Sequence, residues 1–236
     1  MAERIAVVGG SSGIGEAVAA RLSRRGAEVV IGGRREDALR EARARLGNQV
    51  RAEVVDGADV ASVERFFERT GPIDHLVICL SGRKGSGAFA SLPLETLAEG
   101  FQEKVVAQLR VAQVGLKRLA ASGSITFITA ISARAVVPGG AGLGAINGAL
   151  EVMVPTLSVE LAPVRVNAVS PGVIDTPWWN GVPGELKSQY FEQSKARVPA
   201  RRIGQPDDVA AAVELLVSNS FMTGTVLEVD GGARLV

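Results

Sequence analysis

The sequence predicts an α/β domain in which a doubly wound, seven-stranded parallel sheet carries helices on both faces. Three observations predict it. Short apolar runs alternate with stretches of helical period along the chain, the order that parallel strands with right-handed crossovers require. The first run turns into the first helix through Val7 to Gly15, V-V-G-G-S-S-G-I-G, the layout of a phosphate-binding crossover. At 236 residues and 47% hydrophobic content the chain suits one large domain spanning residues 1–236, with no repeat or linker.

The elements follow in order. Ile5 to Val8 read as a buried strand, and Glu16 to Arg25 place Val18, Ala19 and Leu22 on one helix face. Between them Gly9 permits a sharp turn, Gly13 a close approach to a pyrophosphate, and Gly15 close packing of helix on sheet. An anion would then rest at the helix N-terminus, among Ser11, Ser12 and Ile14. A second strand, Glu28 to Ile31, runs into Gly32-Gly33-Arg34-Arg35. An acidic residue there would hold ribose hydroxyls, whereas arginine suits a 2′-phosphate, so Arg34 and Arg35 point to NADP(H). The alternative is that both arginines merely begin a solvated helix, Glu36 to Leu46.

Val50 to Val55 form a third strand ending at Asp56, Val60 to Arg69 a helix, Gly71-Pro72 a break, and Ile73 to Leu80 a fourth strand. Glu95 to Ala120 read as a long helix, Ser124 to Ile128 as strand five, Gly142 to Leu161 as another long helix and Val164 to Val169 as strand six. The tail supplies one more helix and the seventh strand, T-V-L-E-V.

Composition removes several classes. With 26 basic and 25 acidic residues there is no field for nucleic acid or an anionic membrane. Cys79 is the only cysteine and no Cys/His spacing suits a metal. The first strand starts almost at once and no apolar run reaches transmembrane length, so a soluble, cytoplasmic protein is expected. His75, at the start of strand four, lies far from the strand ends where ligands bind and receives no catalytic role.

The glycine spacing G-x-x-x-G-x-G with Ile14, the string V-N-A-V-S-P-G-V-I-D-T and the C-terminal pattern together resemble the short-chain dehydrogenase/reductase family, from Ile5 to Gly232. The resemblance implies a Rossmann fold, with Val8 in place of the family threonine. It implies that Pro171-Gly172 shape the loop beside a nicotinamide, that the Ile174 backbone bonds its carboxamide, and that Thr176 caps a phosphate or the amide. Asp56 would meet the adenine edge or serve as a turn residue. Of the family's N-N-A-G segment only Ser81 and Gly82 keep the small character, and Arg83 and Lys84 beside them are expected in solvent. Pairing through the two long helices would give a homodimer or homotetramer.

The resemblance fails at the family's chemical centre. Ala130 takes the serine position, Leu143 the tyrosine thirteen residues on, Asn147 the lysine four further, and Lys104 the asparagine. Asparagine and lysine have thus exchanged places. Lys104 and Asn147 would meet in one polar pocket and hold the ribose and a water, or else Lys104 faces solvent and Asn147 is a filler. Replacement proton donors would be Lys104, Ser132, Thr129 or a water, with Ser132 reaching the cleft only if its loop bends. An insert at about 177–202 carries Trp178, Trp179, Tyr190 and Phe191. These would cover an apolar or aromatic small-molecule substrate, or pack on the core or a neighbouring subunit. The expected function is NADP(H)-dependent carbonyl or alcohol hydride transfer through a non-standard site. A catalytically silent NADP(H)-binding sensor or partner subunit is the alternative, and an isomerase or dehydratase reusing the pocket a third.

Overall fold

Side chains of β1 (Arg4–Val8) point alternately to two separate cores, Ala6 and Val8 into one and Ile5 and Val7 into the other. A strand buried on both faces needs a helical layer on each, and the computed structural model, which describes residues 2–236, supplies both. Seven parallel strands run in the order β3-β2-β1-β4-β5-β6-β7. In chain order they are β1, β2 (Glu28–Gly33), β3 (Val50–Val54), β4 (Ile73–Ile78), β5 (Leu119–Ile128), β6 (Arg165–Pro171) and β7 (Val226–Val229).

One face is covered by α1 (Gly13–Arg24), α2 (Glu36–Leu46) and α8 (Pro206–Ser218), through Val18, Leu22, Leu39, Val209 and Val213. The other is covered by α3 (Val60–Thr70), α5 (Ala107–Gly115) and α6 (Ala141–Glu160), through Val63, Phe66, Phe67, Val111, Leu150 and Val154. The doubly wound class read from the sequence is the architecture observed.

Two expectations need correction. The helix expected over Glu95 to Ala120 is α4 (Leu94–Gly100), a π-helical turn at Phe101–Val106, α5, and a 3₁₀ turn at Leu116–Arg118. From Leu119 the chain is already extended: Leu119 pairs with Ile73, and the register shifts before Ser124 pairs with His75. The helical preference of Leu-Ala-Ala yields there to an available strand partner. Second, α6 is long and apolar enough by length and composition to cross a membrane, so the expectation that no run reaches that length does not hold. Its inner face, including Ile146, Leu150 and Val154, is buried against the sheet. The insert after β6, for which no element was expected, folds into a 3₁₀ turn at Pro177–Gly181 and α7 (Gly184–Arg197), which buries no residue.

The glycine turn sets how closely α1 approaches β1. Gly9 adopts φ +88°, and a Cβ on Gly15 would collide with the Gly9 carbonyl oxygen, main chain that cannot step aside. Gly15→Ala is therefore expected to destabilise the fold by about 1–3 kcal/mol, the usual cost of overpacking, read as a lowered denaturant midpoint.

Candidate active site

The carboxyl ends of β1, β4, β5 and β6 open onto a cleft of about 720 Å³, where the strand order reverses between β1 and β4. The residues expected to hold a cofactor converge there. Gly9, Ser12, Gly13, Ile14 and Gly15 form one wall with Arg34 and Arg35 at the end of β2. Ser81, Gly82, Pro171, Gly172, Ile174 and Thr176 form another. Ser12 stands at the N-cap of α1 without bonding its first turn, so no side chain caps the amides that open that helix.

Two expected cofactor contacts lie outside this lining. Ser11 sits against Gly33, with its hydroxyl 3.2 Å from where a Cβ on that glycine would stand. Asp56 makes a local turn instead, its Oδ1 accepting the Ala58 N–H at 2.9 Å while its own N–H donates to Ser62 Oγ at 3.0 Å.

Lys104 and Asn147 both line the cleft and both are buried, at 8% and 3% exposure. The solvated alternative for Lys104 is thereby excluded. Lys104 rides on the π-helical turn, and its Nζ donates to the Thr129 carbonyl at 3.1 Å. Burial pulls its pKa down from the ordinary 10.5 to about 8, against the opposing pull of Glu151. The same burial pushes the Cys79 thiol, also in the lining, up to about 12, which keeps it protonated and inert.

Asn147 Nδ2 donates to the Leu143 carbonyl at 2.9 Å and to Ser132 Oγ at 3.0 Å. A carbonyl can only accept, so the amide orientation is fixed. Its Oδ1 is then left buried without a partner, a group that a ligand hydroxyl would complete. Ser132 accepts from Asn147 and keeps its own proton free for the cleft. The loop does bend, through a 3₁₀ turn at Ile131–Ala133, and brings Ser132 into the lining beside Ala130 and Leu143. No bond joins Lys104 to Asn147 directly; they face one cleft from two walls.

Thr129 loses its expected role as a proton donor. Its hydroxyl is committed to Glu151 Oε1 at 2.8 Å, with the Val169 carbonyl at 3.2 Å. Glu151, buried on α6, also accepts from Ser170 Oγ at 2.7 Å and from Arg134 Nε at 2.8 Å. Sequence reasoning passed over this carboxylate, although it follows Asn147 by one helical turn and so shares its face.

The aromatic insert borders the cleft. Trp178, Trp179 and Tyr190 line it, while Phe191 packs behind Trp179 with ring centres 5.3 Å apart. Trp179 Nε1 donates to the Ile174 carbonyl at 2.9 Å, which ties the insert to the loop after β6. Arg83 is exposed, as expected, and also reaches across: its guanidinium lies 5.3 Å from the Trp178 ring centre and donates to the Trp178 carbonyl. No local signal marked a contact between residues 95 positions apart. Lys84 does behave as a surface residue, paired with Glu99 at 2.9 Å.

Residues 8–234 match the family model described as enoyl-(acyl carrier protein) reductase. A short-chain dehydrogenase/reductase of Stachybotrys chlorohalonatus is 33% identical, covering 99% of this chain and 97% of its own. The chain belongs to the short-chain dehydrogenase/reductase family of oxidoreductases. Among solved structures, a small-chain dehydrogenase in complex with NADPH superposes with a TM-score of 0.86 at 29% identity, covering 100% of both chains. An NADPH-bound short-chain oxidoreductase from Pseudomonas aeruginosa PAO1 containing an atypical catalytic center superposes with a TM-score of 0.88 at 26% identity, covering 98% of this chain and 96% of that one.

The lowered pKa of Lys104 has a thermodynamic signature. The unfolded chain binds its proton up to pH 10.5 but the folded chain only to about 8, so burial costs stability in full below pH 8, and the cost is relieved as pH rises. Relative to Lys104→Met, the wild type should gain about 2 kcal/mol in unfolding free energy between pH 7 and 9.5. Denaturant titrations at both pH values check this; a pH-independent difference between the two proteins would show that Lys104 titrates normally.

Proposed function

We propose that this family member is an NADP(H)-dependent oxidoreductase that interconverts a carbonyl and an alcohol with Lys104, Asn147 and Ser132 in place of the family's catalytic residues. The observation that carries the reading is the convergence of these three side chains on one cleft whose opposite wall is the glycine turn and Arg34-Arg35. The residues present fit the cofactor: uncapped amides at α1 for the pyrophosphate, two arginines for the 2′-phosphate, and the unpartnered Asn147 Oδ1 for a ribose hydroxyl. When bound, NADPH supplies the hydride.

The chain's own residues handle the proton and the charge. Ser132 offers its hydroxyl hydrogen to the substrate oxygen, and Asn147 holds that hydroxyl in place. Lys104, with a pKa of about 8, is mostly protonated at neutral pH and serves as the acid, returning to its bond with Thr129 between turnovers. Leu143 and Ala130 leave an apolar surface where the family keeps its acid and its serine. That substitution favours the second reading, a protein that binds NADP(H) without turnover. As for assembly, Val152 and Val159 expose 78% and 77% of their surface on α6, which supports pairing of two copies through that helix.

Titration with NADPH and NADH, followed by oxidation assays against ketones, aldehydes and quinones, separates the readings. Turnover supports the enzyme, tight binding with silence across the panel supports the sensor, and no binding refutes both. Arg34→Ala with Arg35→Ala should weaken NADPH about tenfold or more and leave NADH nearly unchanged. Lys104→Met should lower the reduction rate by about 10²–10⁴-fold while NADPH affinity stays within a few fold. In the wild type the reduction rate should fall as pH rises through about 8.

A further inference from the structure

We infer that the cleft takes a carbonyl or hydroxy compound with an apolar body and a carboxylate, and that Arg83 holds the carboxylate; this rests on the redox reading of the site. Five cationic side chains line the cleft, Arg34, Arg35, Arg83, Lys84 and Lys104, and among the described residues no aspartate or glutamate does. Such a lining attracts anions. Four of the cations are accounted for. Arg34 and Arg35 stand where the 2′-phosphate would lie, Lys84 is neutralised by Glu99, and Lys104 is buried against Thr129.

Arg83 has no carboxylate partner among the described residues, yet it is held in place. The Trp178 ring supports the guanidinium, the Trp178 carbonyl takes one of its five donors and Nη1 packs against Gly181; the remaining donors make no hydrogen bond among the described residues and are left for a ligand. A planar fork fixed in this way matches a planar carboxylate and loses little freedom on binding it. The same lining offers Val137, Leu143, Ile146 and Tyr190 to an apolar body. A molecule seated against them presents its anionic end to Arg83 at the mouth and its oxygen to the buried polar groups.

The test compares 4-acetylbenzoate with 4-acetylbenzamide, which share ring and ketone and differ in charge. Each is titrated calorimetrically into the protein in the presence of NADP⁺, where no reduction occurs. The acid should bind about tenfold or more tightly than the amide, with a preference that shrinks as salt is added. Arg83→Gln should abolish the preference while leaving amide and NADP⁺ affinity within about twofold, and Arg83→Lys should restore part of it. A wild type without preference for the acid overturns the inference, as does an Arg83→Gln variant that weakens both ligands equally, because Arg83 then only clamps the insert. NADPH oxidation with either ketone is read separately, so a failed redox reading is distinguishable from a failed anion site.

Discussion

The carboxyl end of β5 bears the constraint on which the site depends. Thr129 must satisfy a buried ammonium on one side and a buried carboxylate on the other, and it does so with different atoms, the carbonyl for Lys104 and the hydroxyl for Glu151. A buried charge without such partners would be far more costly than the bonds are favourable. The arrangement fixes three elements at once: β5 itself, the π-helical turn that carries Lys104, and α6, which carries both Glu151 and Asn147. Gln108 reinforces the same edge by donating to the Leu80 and Ile128 carbonyls at 2.8 and 3.1 Å.

From that edge the chemistry of the cleft follows. Desolvation brings Lys104 down to a pKa of about 8, within reach of giving up its proton. Asn147 cannot do that chemistry, but a neutral amide can orient a hydroxyl, and Ser132 is the hydroxyl within its reach. The titrating group of the cleft thus stands on the π-helical turn and the amide on α6. Leu143 and Ala130 present apolar surface to the same space.

The insert after β6 gains order from the rest of the molecule and not from its own burial. α7 buries no residue, so its position relies on Trp179, which bonds the Ile174 carbonyl and packs on Tyr190 and Phe191, and on the bridge from Arg83 to Trp178. A segment with few buried contacts opens locally at a lower free energy than the core does.

Local chemistry determined a good deal by itself. The period-2 and period-3.6 patterns, the glycine turn and the family's motif spacings placed seven strands, most of the helices flanking them and the glycine-rich wall of the cleft, because each rests on residues close together in sequence. That Lys104 and Asn147 would line one cleft was legible for the same reason. Only the tertiary structure decided the rest. Leu119 became strand because Ile73 lay ready to pair with it, and Thr129 gave up its hydroxyl because Glu151 arrives from another helix. Arg83, itself exposed, came to rest on Trp178, 95 positions along the chain. Each of these is set by a partner far along the chain, and hydrogen bonds and burial between distant segments leave no periodic trace in a sequence.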